Sequence, residues 1–171
     1  MNRLLLIFLL LSSVGCTHLY KNYDYEIHKD SRKGELLVVE LYGSWKKISE
    51  NPEITKKGNP YQLDIDFYTN DLPGESITLI VDKLVLKSGI EIPIGRTRTK
   101  QTEEWWKFGL KYKYKSTAKN RFFGINISKH ESIQIVARLE YKGTIRPIDV
   151  VLNPNYNQSR HSNYFDGAMG I

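Results

Sequence analysis

The chain has 171 residues, room for one domain of ordinary size and no more. Hydrophobic residues make up 40 % and charged residues 26 %, as in a globular protein that buries a core without disulfide staples. The formal charge of +6 invites a nucleic-acid reading, but 11 tyrosines and short runs of β-branched residues point first to strands.

Taken in chain order, the first element is a leader. Arg3 supplies a positive start, and Leu4 to Leu11 is an unbroken apolar run. Small residues Ser12 to Gly15 follow, then Cys16. A charged start, a short apolar stretch and small residues before a cut site define a secretory signal. As a helix the run would span only about 12 Å, too short for a lasting membrane span of about 20 residues. Cleavage before Cys16 removes residues 1–15, and loss of Arg3 leaves 24 basic against 19 acidic residues, a charge of +5.

Ser13-Val14-Gly15-Cys16 resembles the lipobox of bacterial lipoproteins, with Ser13 where that family most often has Leu. The resemblance implies acylation of Cys16, which becomes the mature N-terminus. Simple secretion with cleavage at the same bond is the alternative. The cysteine count bears on the choice. Cys16 is the sole cysteine, so no disulfide framework exists, and a free thiol in an oxidising compartment would be a liability. In the family, two or three acyl chains make the anchor effectively permanent, since one chain binds only marginally. Thr17 stands where Asp retains Gram-negative lipoproteins at the inner membrane, which favours the outer membrane in a host that has one.

Residues 16–33 read as the lipidated N-terminus and a flexible tether, long enough to reach roughly 55 Å when extended. An alternative is an edge strand through Tyr20, Tyr23, Tyr25 and Ile27.

Residues 34–152 carry the alternation of half-buried strands. Leu37, Val39 and Leu41 share a face, and Tyr61 to Phe67 alternates without a break. Ile77, Leu79 and Val81 give way to Leu84 and Leu86, a phase slip that a bulge near Asp82-Lys83 would explain. Ile90, Ile92 and Ile94 form a short strand that Pro93 places near an edge. Trp106 to Tyr114, Phe123 to Ile127, Ile133 to Tyr141 and Ile148 to Leu152 complete about eight strands. Joints fall at Asn51-Pro52, Gly58-Asn59-Pro60, Asn70 to Gly74, Ser88-Gly89 and Lys142-Gly143. The expected fold is all-β, a two-sheet antiparallel β-sandwich of immunoglobulin-like or transthyretin-like type. Residues 153–171 lack a period and read as a mobile tail, with docking through Tyr156, Tyr164 and Phe165 as the alternative.

No catalytic set emerges. The histidines His18, His28, His130 and His161 fall at no metal spacing, and there is no nucleophile elbow or phosphate-cradling glycine loop. Asp64, Asp66, Asn70 and Asp71 read as a solvated strand face ending in a turn, and Glu103 and Glu104 are adjacent and point apart. We expect no enzyme, cofactor or metal.

Cations gather at Arg96, Arg98 and Lys100, and again at Lys107, Lys111, Lys113, Lys115, Lys119 and Arg121. Export argues against nucleic acid as the partner and leaves anionic headgroups, acidic envelope polymers or an acidic protein face. Lysines on the exposed face of a strand, which discourage edge-to-edge aggregation, are the stronger explanation. Trp105 is either an interface anchor or a side chain covered by the loop from Gly95 to Glu104. The candidate partner surface is therefore Trp105, Lys107, Lys111, Lys113, Lys115 and Arg121. The expectation is a lipid-anchored envelope module that binds another envelope protein, or else glycans or anionic polymers.

Overall fold

The computed structural model describes residues 17–48, 51–105 and 114–162. The leader, Cys16, residues 106–113, with Lys107, Lys111 and Lys113, and residues 163–171, with Tyr164 and Phe165, lie outside the described residues.

The described chain is all strand and turn, eleven strands in two sheets. They are β1 (Thr17–Tyr25), β2 (His28–Arg32), β3 (Glu35–Ile48), β4 (Asn51–Thr69), β5 (Ser76–Leu86), β6 (Glu91–Gln101), β7 (Glu103–Glu104), β8 (Ser116–Ile125), β9 (Ile133–Tyr141), β10 (Thr144–Leu152) and β11 (Pro154–Ser162). The larger sheet runs β11-β1-β4-β3-β2, with β8 beside the second half of β4 and β7 beside the start of β8. The smaller sheet runs β10-β9-β5-β6.

Alternation explains the layering. Val39, Leu41, Leu63, Ile65 and Phe67 project from the larger sheet onto Ile77, Leu79, Val81, Ile133, Ile135 and Leu139 of the smaller one. All are essentially inaccessible to water, so each sheet buries one face. The phase slip in β5 is a bulge. Register shifts between Val81 and Lys83 against both neighbouring strands. The β9–β10 hairpin turns on Lys142 and Gly143, both at positive φ (50° and 72°), the geometry a two-residue hairpin needs.

Several expectations are corrected. Eleven strands are described rather than about eight: seven of the expected ones, the expected strand from Trp106 to Tyr114 lying outside the described residues, and four further segments, β1, β2, β7 and β11, that showed no clear period. Residues 17–33 are not a flexible tether, and β1 is no edge strand. It lies between β11, antiparallel, and β4, parallel, so the sandwich is not wholly antiparallel. His18 fixes its start by a 2.7 Å hydrogen bond to the Thr55 hydroxyl. Nor is 153–162 a mobile tail, since β11 pairs with β1 over nine residues. The period was invisible because residues 18–24 are half-buried throughout and neither face is apolar. The joints Asn51-Pro52 and Gly58-Asn59-Pro60 lie inside β4, where a bulge and a cis Asn59-Pro60 peptide interrupt the ladder without ending it.

The core ends at Tyr25 and Tyr61. Beyond them, among the described residues, the larger sheet continues as a single layer. Ser44, Trp45 and Lys46 are consecutive and all exposed, so neither face of β3 is covered there.

Candidate functional site

The two seams of the sandwich differ. On the β3–β10 side, Arg146 forms a paired ion bridge with Glu35 across the sheets, and the cavity behind it holds only about 30 Å³. On the β6–β8 side the seam is open, as a cleft of about 570 Å³.

Strand register explains the opening. Arg98 lies opposite Leu79 and Lys100 opposite Ile77, so both cations project from the core-facing side of β6. Ile92 and Ile94 occupy that face nearer the β5–β6 turn and pack on the core. At Arg96 the face turns basic and leaves the sandwich ajar. Arg96 ties the strands by donating to the Phe123 carbonyl at 2.9 Å, and the Arg98 guanidinium lies 5.4 Å from the Phe122 ring centre. No carboxylate pairs with Arg98 or Lys100 among the described residues. Residues 95–101 are thus strand, not the loop expected from sequence.

The facing wall is β8, which adds Lys119, Arg121 and Phe123, the last 54 % exposed. Arg121 is held at 3.3 Å from Asp64, itself buried. Tyr42 donates to the same carboxylate at 2.8 Å, and Gln62 donates to its other oxygen at 2.7 Å. Burial, with this hydrogen bond, pushes the Tyr42 phenol up to about 12, so it remains a neutral donor. The Asp64–Asp66 face is therefore not solvated as expected. The side chains of the cross-strand partners, Arg121 opposite Asp64 and Lys119 opposite Asp66, lie on it.

Trp105 closes one end. It is half-buried, edge-on to Tyr68 at 5.1 Å, with the Lys119 ammonium 4.8 Å from its ring centre. Its backbone N–H donates to Lys115, whose N–H donates to Thr69, which fixes Trp105 to the sheet. Of the expected partner residues, Trp105 and Arg121 line the cleft. Lys115 is exposed at its foot and does not line it. Sequence reasoning placed Arg98, Lys100, Lys119 and Arg121 in separate basic groups, and only the topology brings them together. One signal was legible: residues 92, 94, 96, 98 and 100 keep a single phase, so the cations extend an apolar face.

Asp66 is the least comfortable group. Its Oδ1 is buried without a partner, and Oδ2 accepts only a 3.3 Å hydrogen bond from Tyr68. Burial raises its pKa, outweighing the attraction of Lys119. A raised carboxyl pKa means that the folded chain holds this proton more tightly. Its contribution is full below the ordinary carboxyl range and is lost as pH rises through the folded value. Asp66→Asn should therefore stabilise the protein at pH 7, the advantage closing below about pH 4. Urea midpoints at the two pH values check this; a variant less stable at pH 7 would refute it.

No protein-family model and no curated protein matches the chain.

Proposed function

We propose that this chain is a lipid-anchored protein of the cell envelope, held by acyl chains on Cys16, whose β-sandwich is a non-enzymatic interaction module receiving an acidic, extended segment of another envelope protein. The observation that supports it most is the cleft. Arg98, Lys100, Lys119 and Arg121 outnumber Glu103 and Glu104 in its lining, between the outer edge of β6 and the part of β8 that, among the described residues, β7 leaves unpaired. A strand edge offers main-chain hydrogen bonds to an added chain, and the cations choose an acidic one. Where the host has two membranes, Thr17 after the anchor favours the outer one.

A second reading has its own observation. Trp105 beneath Lys119 is a stacking platform beside cations, suited to an anionic envelope glycan.

Photo-crosslinking in living cells, with the probe at Lys100 and then at Trp105, separates the two. A discrete protein adduct supports the interaction module. An anchored protein without an adduct transfers the cleft to the polymer. The anchor has its own test: Cys16→Ala should release a folded domain from membranes. A variant still sedimenting with membranes after a high-salt wash would defeat the lipid-anchor reading.

A further inference from the structure

We infer that the single-layer end of the larger sheet is a membrane-apposed foot that lies against anionic lipid headgroups and holds the cationic cleft away from the bilayer. This rests on the proposed acylation of Cys16.

Register supplies the first argument. β1 is parallel to β4 with Leu19 level with Ile54, so Thr17, two residues back, is level with Pro52. Pro52 is the second residue of β4, beside the tip of the β3–β4 hairpin, where Ile48 pairs with Asn51. Thr17 is already in the sheet, paired to Ser162, and Cys16 is bonded directly to it. Nothing between the acylated residue and the fold can act as a spacer. An anchor there brings the hairpin end of the sheet to the lipid surface.

The chemistry of that end supplies the second. Beyond Tyr25 and Tyr61 the sheet has no apolar layer behind it among the described residues. It carries Lys21, Lys46, Lys56, Lys57 and Arg160, with Asp24 as the acid. Asp24 is taken by Lys57 at 2.6 Å and by the Gly43 N–H at 3.1 Å. By sequence, residues 43–57 add Lys47, Glu50 and Glu53, so the balance stays basic. Trp45 is 54 % exposed, with Tyr20 edge-on at 5.9 Å and the Lys57 ammonium 5.7 Å from its ring centre. Aromatic rings among lysines suit the headgroup layer, where one side is wet and the other apolar.

The same register fixes what faces away. Asp66, opposite Lys119 in the cleft, lies roughly 45 Å along β4 from Pro52 at the strand rise of about 3.3 Å per residue. Lys33, in the β2–β3 turn, lies about 50 Å from the hairpin tip by the same measure.

The test uses the mature acylated protein in vesicles of phosphatidylcholine with phosphatidylglycerol. Because Cys16 is the sole cysteine and is acylated, Lys46→Cys or Lys33→Cys gives one labelling site. A fluorophore at position 46 should be quenched several-fold more by headgroup-level quencher lipids than one at position 33. Charge reversal at Lys21 and Lys56 should abolish that difference while the protein still sediments with the vesicles. Equal quenching at 46 and 33 would overturn the foot. So would strong quenching at 46 that persists after charge reversal and in pure phosphatidylcholine, since the acyl chains alone would then set the geometry. Mass spectrometry of the same sample keeps the two readings apart. An unacylated Cys16 defeats the anchor, whereas an acylated chain with a distant hairpin defeats only the foot.

Discussion

Gly43→Val should cost the fold about 3 kcal/mol or more, a large share of the 5–15 kcal/mol that holds a domain together. At the β3–β4 bulge the ladder shifts register between Gly43, opposite Tyr61, and Ser44, opposite Gly58. A Cβ on Gly43 would overlap the Cα and N of Gly58 and lie 2.7 Å from its carbonyl oxygen. These are backbone atoms, which cannot rotate aside. The Gly43 N–H also donates to Asp24, which pairs with Lys57, so a retreating strand loses that network too. Alanine should already hurt, and valine more. The facing glycine provides a control: a Cβ on Gly58 meets its neighbours at 3.7–3.8 Å, ordinary contact, so Gly58→Ala should be close to neutral. Urea denaturation followed by tryptophan fluorescence measures all three. A Gly43→Ala midpoint equal to that of the parent would show that the bulge relaxes freely.

The second large effect is on binding. Arg98→Glu with Lys100→Glu should erase the partner adduct captured from a probe at Trp105. Affinity for a poly-glutamate peptide should fall by about 2 kcal/mol, roughly thirtyfold, with a weaker dependence on salt. Both side chains are exposed and neither holds a carboxylate among the described residues, so the folded state should lose little. The same reversal at Lys29 and Lys33, remote from the cleft, should leave binding intact and excludes net charge as the cause. An adduct that survives the cleft variant and vanishes with the remote one would move the partner site elsewhere.

What could be read from sequence depended on whether a strand buries one face. Residues 61–67, 77–86 and 133–141 do, and their alternation gave strands, phase and even the β5 bulge. Apart from Tyr25 at the end of β1, β1 and β11 contribute nothing to the core cluster, so Tyr20, Asn22 and Asn157 follow backbone pairing rather than an apolar stripe. The cleft was hidden for a different reason. Arg98 and Arg121 are far apart in sequence and lie in different sheets, and only the packing of β6 beside β8 makes them neighbours. Trp105 was visible as a candidate, but its place under Lys119 depends on a cross-strand register that no local pattern encodes.

The parallel β1–β4 pair also has a mechanical consequence. If acyl chains on Cys16 hold the start of β1 and a partner holds the cleft, tension runs along strand axes and not across them. β1 is drawn out by its first residue, between an antiparallel neighbour bonded over nine positions and a parallel one bonded over four. Such a load falls on the whole ladder at once as shear, whereas a pull across the strands would peel its bonds one by one. Since β4 carries β1 on its first half and β8 on its second, a single continuous strand transmits the force from anchor to cleft. The domain is built to resist tension along the direction in which a membrane tether would apply it.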